Sequence, residues 1–258
     1  MSRRIVITSG KGGVGKTTIC ANLGVRLAKK GKRVVMLDAD VGLNNLDVLM
    51  GVENKVVYDI FDVLSGKCTV KLALIEDMFI PNLFILPSTH SFAGARVQPS
   101  QFRKLVESLR GFDYVLIDCP AGISGGFHRA VSMADEAYVV VTPAISSIRD
   151  ADKVLTLLSG YELKSVSLVI NRIRGDLVLS REMMSAEDIC RLLKKTPTAI
   201  IPESDEIALS SAYGTFTDRE GVFSLFADNV VNGTKKVIDC REKYRGFFGK
   251  MRARSRRI

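Results

Sequence analysis

Residues 10–18 read Gly-Lys-Gly-Gly-Val-Gly-Lys-Thr-Thr. Gly10, Gly15, Lys16 and Thr17 hold the fixed places of G-x-x-x-x-G-K-[ST], the loop that cradles nucleotide phosphates. The flanks have the form such a loop needs. Arg4 to Thr8 is a short β-branched run, and after the loop Ile19, Leu23 and Leu27 recur at i, i+4 and i+8, which is helical spacing. Strand, glycine turn and helix aim backbone N–H groups and the positive end of a helix dipole at one anion. Gly12, Gly13 and Val14 complete the turn, where missing Cβ atoms let the backbone curl closely around phosphate. Lys16 puts a point charge on the β/γ oxygens, the Thr17 hydroxyl is placed to ligate Mg²⁺, and Thr18 follows it into the helix.

Lys11 is a second ammonium group within the loop. Two such groups beside one phosphate chain exceed what one subunit needs, unless Lys11 is simply solvated. The acidic half of the site comes from later strand ends. Lys32 to Asp40 is an apolar run ending in Asp38 and Asp40, and Tyr114 to Asp118 is another ending in a single carboxylate. In a parallel α/β sheet, ligands sit beyond the carboxyl ends of the strands, so these acids converge on the loop. Magnesium takes oxygen ligands and keeps several waters, which suits Thr17 directly and Asp118 through water. Asp38 and Asp40 face opposite sides of a continuing strand and so differ in role. By itself Asp38 reads as a helix-cap or loop-tying carboxylate. Two further strand ends, Asn171-Arg172 and Pro202-Glu203, are candidates for base recognition. An amide offers the donor and acceptor that an adenine edge requires, though Asn171 equally reads as a loop cap.

Along the chain, strands are expected near 3–8, 33–38, 83–87, 114–118, 137–142, 165–170 and 198–201. Helices are expected near 16–30, 45–50, 56–65, 99–110, 123–134, 147–159, 180–195 and 220–240. This alternation predicts an α/β fold, a mostly parallel, doubly wound sheet with helices on both faces. With 258 residues, 47% of them apolar, the chain can bury a large core as one domain. Five scattered cysteines without C-x-x-C spacing argue for reduced thiols rather than disulfides or zinc. Cys119, beside Asp118, reads as a small packed residue or a redox-sensitive thiol. His90 and His128 have no matching constellation. The start of the chain runs into the loop too soon for a signal peptide, and no apolar run approaches the ~20 residues of a spanning helix.

The C-terminus is the second informative stretch. Residues 235–258 carry ten Lys or Arg and two acids, a charge of +8, whereas the remaining 27 basic and 26 acidic residues nearly cancel. On a helix, Tyr244, Phe247, Phe248 and Met251 fall to one side, with Lys250 and Arg252 among the basic residues around them. Large apolar side chains ringed by Lys and Arg describe an interfacial amphipathic helix; arginines alone would also suit nucleic acid. The expected division is an ATPase body, 1–240, and a membrane-targeting segment, 241–258. A segment this short is marginal in water, so one tail should bind weakly and reversibly, whereas two tails in one dimer gain from effective concentration.

Together, the K-G-G-V-G-K-T-T loop, the acidic strand ends and the basic amphipathic tail resemble the deviant Walker A ATPases, the MinD/ParA family. The resemblance spans essentially the whole chain and implies an ATP- and Mg²⁺-dependent ATPase. It implies that Lys11 reaches across a homodimer to the partner's nucleotide. Asp40 would orient the attacking water and Asp38 support the metal site. The Asn171-Arg172 and Pro202-Glu203 segments would line the adenine pocket. It further implies a cytoplasmic protein that attaches peripherally to the inner face of the cell membrane. There it would position the septum with a MinC-like division inhibitor and a MinE-like or other topological regulator. DNA partitioning, flagellar-number control and a non-hydrolysing nucleotide-gated scaffold are the rival readings. Asp150 to Lys153 resembles a family surface helix where partners dock, or is a solvated charged face. Ser124, the lack of a glutamate after Thr142-Pro143-Ala144, and the stretch Thr89–Gln98 depart from the family pattern, which bears on partners more than on nucleotide binding.

Overall fold

The computed structural model describes residues 2–40, 45–88, 99–246 and 249. In chain order the elements are β1 (Arg3–Thr8), α1 (Lys16–Lys29), β2 (Val34–Asp38), α2 (Asn45–Leu49), α3 (Ile60–Leu64), α4 (Val70–Ala73), β3 (Ile75–Glu76), β4 (Leu83–Leu86), α5 (Pro99–Ser108) and β5 (Tyr114–Asp118). They continue with α6 (Gly125–Ser132), β6 (Glu136–Val141), α7 (Ile145–Leu158), β7 (Ser165–Ile173), α8 (Gly175–Leu179), α9 (Ala186–Leu193), β8 (Pro197–Pro202), α10 (Asp205–Ala212) and α11 (Val222–Asn232). The strands form one sheet in the order β3-β4-β2-β5-β1-β6-β7-β8. All neighbours are parallel except the short β3, which pairs antiparallel with β4 at one edge.

Why these residues make a central sheet follows from burial. Every residue of β2 and β5 is buried, as befits strands covered on both faces and therefore apolar without alternation. Ile5, Ile7, Met36 and Leu116 point into a layer with α1, α2 and α11. Val6, Val35, Ile117 and Val139 point into the opposite layer, with α5, α6, α7 and α9. The connection from β1 leads toward β2 on one side, while that from β5 crosses β1 to reach β6. The crevice where the connections diverge is where α/β sheets bind ligands.

The expected doubly wound α/β sheet is present, with local corrections. The helix expected over 180–195 is shorter, only α9, and α8 precedes that range as a separate helix. Arg181 takes a left-handed φ of 61° between them, and Ser185 with Asp188 forms a capping box that starts α9 afresh. The helix expected over 220–240 stops at Asn232, because Gly233 adopts φ 67°, the left-handed helix stop. Beyond it the chain is an extended strap, held by Asn229, whose Nδ2 donates to the carbonyls of Thr198 (2.8 Å) and Lys236 (2.6 Å). The helices α4, α8 and α10 and the strand β3 are additional to the expected set.

Candidate functional site

The glycine loop leaves the end of β1, a central strand, and turns into α1. Gly13 and Gly15 take φ values of 74° and 96°, in the left-handed region where a side chain is strained. Gly15 is the N-cap of α1 without any side-chain cap, so the first-turn N–H groups face the loop's concavity unclaimed by a side chain. The loop is braced from two sides. The Ser9 hydroxyl donates to the Lys11 carbonyl at 2.7 Å, and Asn171 Nδ2 donates to the Val14 carbonyl at 2.8 Å. A Cβ at Gly15 would stand 2.6 Å from that same nitrogen. The two lysines diverge: Lys16 is buried, whereas Lys11 is exposed and its Nζ donates to the Ser146 hydroxyl at 3.1 Å, at the start of α7.

The β2–β5 register sets Asp38 directly opposite Asp118. Asp38 Oδ1 accepts from the Asp40 N–H (2.8 Å) and Oδ2 from the Leu46 N–H (3.2 Å). Both of its oxygens therefore tie the segment after β2, as the loop-tying reading expects. Asp118 differs. The nearby Thr17 hydroxyl favours its charged form, yet its Oδ1 is buried with no hydrogen-bond partner among the described residues. Burial, with Asp38 beside it, raises the Asp118 carboxyl to about 8. Burial also raises Asp38, to about 6, against the opposing effect of its two backbone N–H bonds. A partnerless, desolvated carboxylate oxygen next to a threonine hydroxyl suits a hard divalent cation. Thr17 and Asp118 thus fit Mg²⁺, with Asp38 one step behind. No cluster of three or more His, Cys, Asp or Glu able to hold a metal occurs among the described residues; magnesium bound chiefly by phosphate and water needs none. Asp40 is half-buried, its carboxyl raised by burial and held back by the charge of Lys16.

Cys119 is buried behind these acids and accepts from the Thr8 hydroxyl at 3.4 Å. Burial pushes its thiol up to about 12, so it is a packed residue and not a reactive thiolate.

Beside the loop lies a cavity of about 290 Å³ lined by Gly15, Thr18, Asn171, Arg172, Pro202 and Glu203, together with residues of α10. The structure thus gathers the expected base-recognition residues beside the phosphate loop. Asn171 Oδ1 accepts from the Arg172 N–H at 2.9 Å. One amide hydrogen and one lone pair are then used internally, which leaves one of each for a ligand. Arg172 adopts φ 61°, and the Glu203 N–H donates to the Ile173 carbonyl at 3.0 Å, so the ends of β7 and β8 are joined at the cavity. Sequence reasoning missed α10, which supplies Asp205, Ile207, Ala208 and Ser211 to the wall. Ser204 before Asp205-Glu206, an N-cap residue ahead of an acidic first turn, was the available signal.

At the C-terminus, Phe247, Phe248, Lys250, Met251 and Arg252 lie outside the described residues, as do His90 and the stretch Thr89–Gln98. Tyr244 corrects an expectation. It is buried in the short turn Glu242–Tyr244 against α8, not presented as a surface anchor. Asp150 and Lys153 pair with each other at 3.5 Å on α7, and Asp150 lies against the phosphate loop, where a Cβ on Gly10 would stand 2.7 Å from its own Cβ. No helix among the described residues is long and apolar enough to cross a membrane.

Comparison with known proteins agrees with this geometry. The profile of the CobQ/CobB/MinD/ParA nucleotide binding domain matches residues 5–217. The septum site-determining protein MinD of Synechocystis is 47% identical over 215 residues, 83% of this chain and 81% of that protein. Among solved structures, the MinC:MinD cell division protein complex of Aquifex aeolicus aligns with a TM-score of 0.83 at 40% identity, covering 90% of this chain and 96% of that one. MinD of Pyrococcus horikoshii, solved with Mg-ADP, aligns with a TM-score of 0.80 at 30% identity over 92% and 99%.

Proposed function

The chain belongs to the CobQ/CobB/MinD/ParA family of nucleotide-binding domains, and on that premise we propose that it is an ATPase that positions the cell-division septum. The nucleotide loop and the relatives that are septum site-determining proteins support this reading. Within the site, the loop N–H groups and Lys16 bind the phosphates, and the remaining valences of Asn171 with Pro202 and Glu203 receive the adenine. Asp40 orients the attacking water, near enough to Lys16 to share its charge. Thr17 and Asp118 would hold Mg²⁺, which when bound would neutralise phosphate charge.

The observation that carries the finer reading is the outward placement of Lys11. Among the described residues its own chain offers it only an exposed serine hydroxyl, so its charge is available to the nucleotide of a second copy. ATP then favours a homodimer, and the dimer doubles the basic, apolar C-terminus at an anionic membrane. Each basic group near such a surface contributes ~1 kcal/mol, and pairing two tails raises their effective concentration. A MinC-type inhibitor is the partner this reading implies, supported by the relative solved with MinC.

Light scattering with and without ATP tests it. Lys11→Ala should bind nucleotide and stay monomeric; dimerisation at wild-type affinity defeats the trans role. Vesicle co-sedimentation tests the tail. Phe247→Glu with Phe248→Glu should abolish ATP-dependent binding to anionic vesicles. A variant that instead keeps a steeply salt-dependent affinity for DNA points to partitioning.

A further inference from the structure

Helix α10 carries two adjacent serines near its end, and the fold uses them differently. The Ser210 hydroxyl accepts from the Thr217 N–H at 2.7 Å, and the Ser210 carbonyl accepts from the Thr215 N–H at 2.9 Å. Ser210 therefore ties the turn that follows the helix. Ser211 lies on the cavity side. Ile207, Ala208 and Ser211 are spaced i, i+1 and i+4, so they share a face, and all three line the nucleotide cavity. The Ser211 Oγ is buried with no hydrogen-bond partner among the described residues. A helical serine shielded from water can return its hydroxyl to the carbonyl one turn back, but this one does not.

A buried hydroxyl without a partner costs folding free energy, so the position suits an occupant that supplies the bond. Its surroundings narrow the choice. Ile19, Ile207 and Phe223 stand around the same cavity, and Ile19 and Phe223 are almost fully buried. Apolar walls receive the faces of a planar ring, and a few convergent polar atoms fix its orientation. Asn171 brings one free donor and one free lone pair from the end of β7. Ser211 adds a hydroxyl, donor and acceptor at once, from α10. A phosphate would instead seek the array of N–H groups at the start of α1.

We propose that Ser211 is a base-reading residue, its hydroxyl bonding the edge of the bound purine from the α10 wall of the cavity. This rests on the reading of that cavity as the adenine pocket and adds a third element to it, beside the ends of β7 and β8. The bond exists only in the bound state. Ser211 thus contributes to nucleotide affinity and not to the ligand-free fold, whereas a packing residue would contribute to both.

Calorimetric titration of the full chain with Mg²⁺ and ADP, 2′-deoxy-ADP or inorganic pyrophosphate tests it, beside melting of the ligand-free protein. Wild type should bind ADP more tightly than pyrophosphate. Ser211→Ala should weaken ADP and 2′-deoxy-ADP alike by about fivefold or more, the scale of one lost hydrogen bond. It should leave pyrophosphate unchanged and melt no lower than wild type without ligand, because no bond in the ligand-free protein is removed. Ser211→Thr keeps the hydroxyl and should restore ADP affinity. Unchanged ADP affinity in Ser211→Ala, a loss that Ser211→Thr does not restore, or a lower ligand-free melting temperature overturns the base contact. A loss for ADP without one for 2′-deoxy-ADP moves the hydroxyl to the ribose and overturns it as well. Wild type that binds pyrophosphate as tightly as ADP defeats the pocket assignment, and the role of Ser211 with it.

Discussion

Two groups of acids stand at opposite sides of the same sheet end, and the chain treats them differently. Under the strap, Asp176 is paired with Arg174 at 2.6 Å and Asp239 with Arg241 at 2.7 Å. Their partners hold both carboxyls below the ordinary range, against a desolvation effect that is the largest single influence at Asp176. At the ends of β2 and β5, Asp38 and Asp118 are buried side by side without a basic partner at hydrogen-bonding distance, and both are raised. Acids the chain pairs itself serve folding. Acids it buries and leaves short of a cation serve a ligand, because only an arriving charge offsets their desolvation.

The contrast can be broken most sharply at the nucleotide end. Asp40→Ala should lower single-turnover hydrolysis by ~10²–10⁴ while ATP is still bound; wild-type turnover would move the water-orienting role elsewhere. Asp118→Asn should cost ~10²–10³ in turnover, the scale of a lost electrostatic contact at a reacting phosphate. The same change should not destabilise the ligand-free protein.

The pH dependence of that second variant sharpens the comparison. A carboxyl raised on folding contributes stability that is full below its unfolded value near 3.8 and lost as pH rises through about 8. Ligand-free Asp118→Asn should therefore melt above wild type at pH 8.5 and lose that advantage at pH 5. An equal difference at both pH values would show that Asp118 is not the strained acid. The depressed acids under the strap have the opposite sign: their contribution is present above the unfolded value and lost as pH falls through the lowered one.

The strap end should give smaller effects. Arg174→Ala leaves Asp176 buried without its partner and should cost on the order of 1–3 kcal/mol in denaturant unfolding. Arg241→Ala removes half-exposed pairs and should change stability by less than ~1 kcal/mol. A larger loss from Arg241 than from Arg174 would invert the ranking and make the surface pairs the principal closure.

Much of this was legible before any fold was known, and the failures have physical causes. The phosphate loop is local: nine consecutive residues specify its glycines, its lysines and its metal-ligating hydroxyl. Asp38 and Asp118 were legible as strand ends because an apolar run interrupted by a carboxylate has few other readings. The stop at Gly233 and the start at Ser185 were also written locally, but the apolar periodicity extends past both. Tyr244 was misjudged for a different reason. Its helical spacing with Phe247 and Met251 is a true property of the sequence, yet Gly175 leaves room for the strap to lie against α8, and the tyrosine is buried there.

What the sequence by itself determined is the chemistry available: a nucleotide loop at the end of a buried strand, acids at the neighbouring strand ends, and charge concentrated near the C-terminus. These depend on contacts within a few residues, or on the single fact that parallel strands end together. The tertiary structure alone decided which groups are compensated. Arg241 meets Glu187 across 54 positions, and Asn171 meets Val14 across 157. No local pattern encodes such meetings, because they follow from strand order and helix packing. Burial did the rest: it makes Asp118 a carboxylate in need of a cation, and it takes Tyr244 out of the tail and into the body.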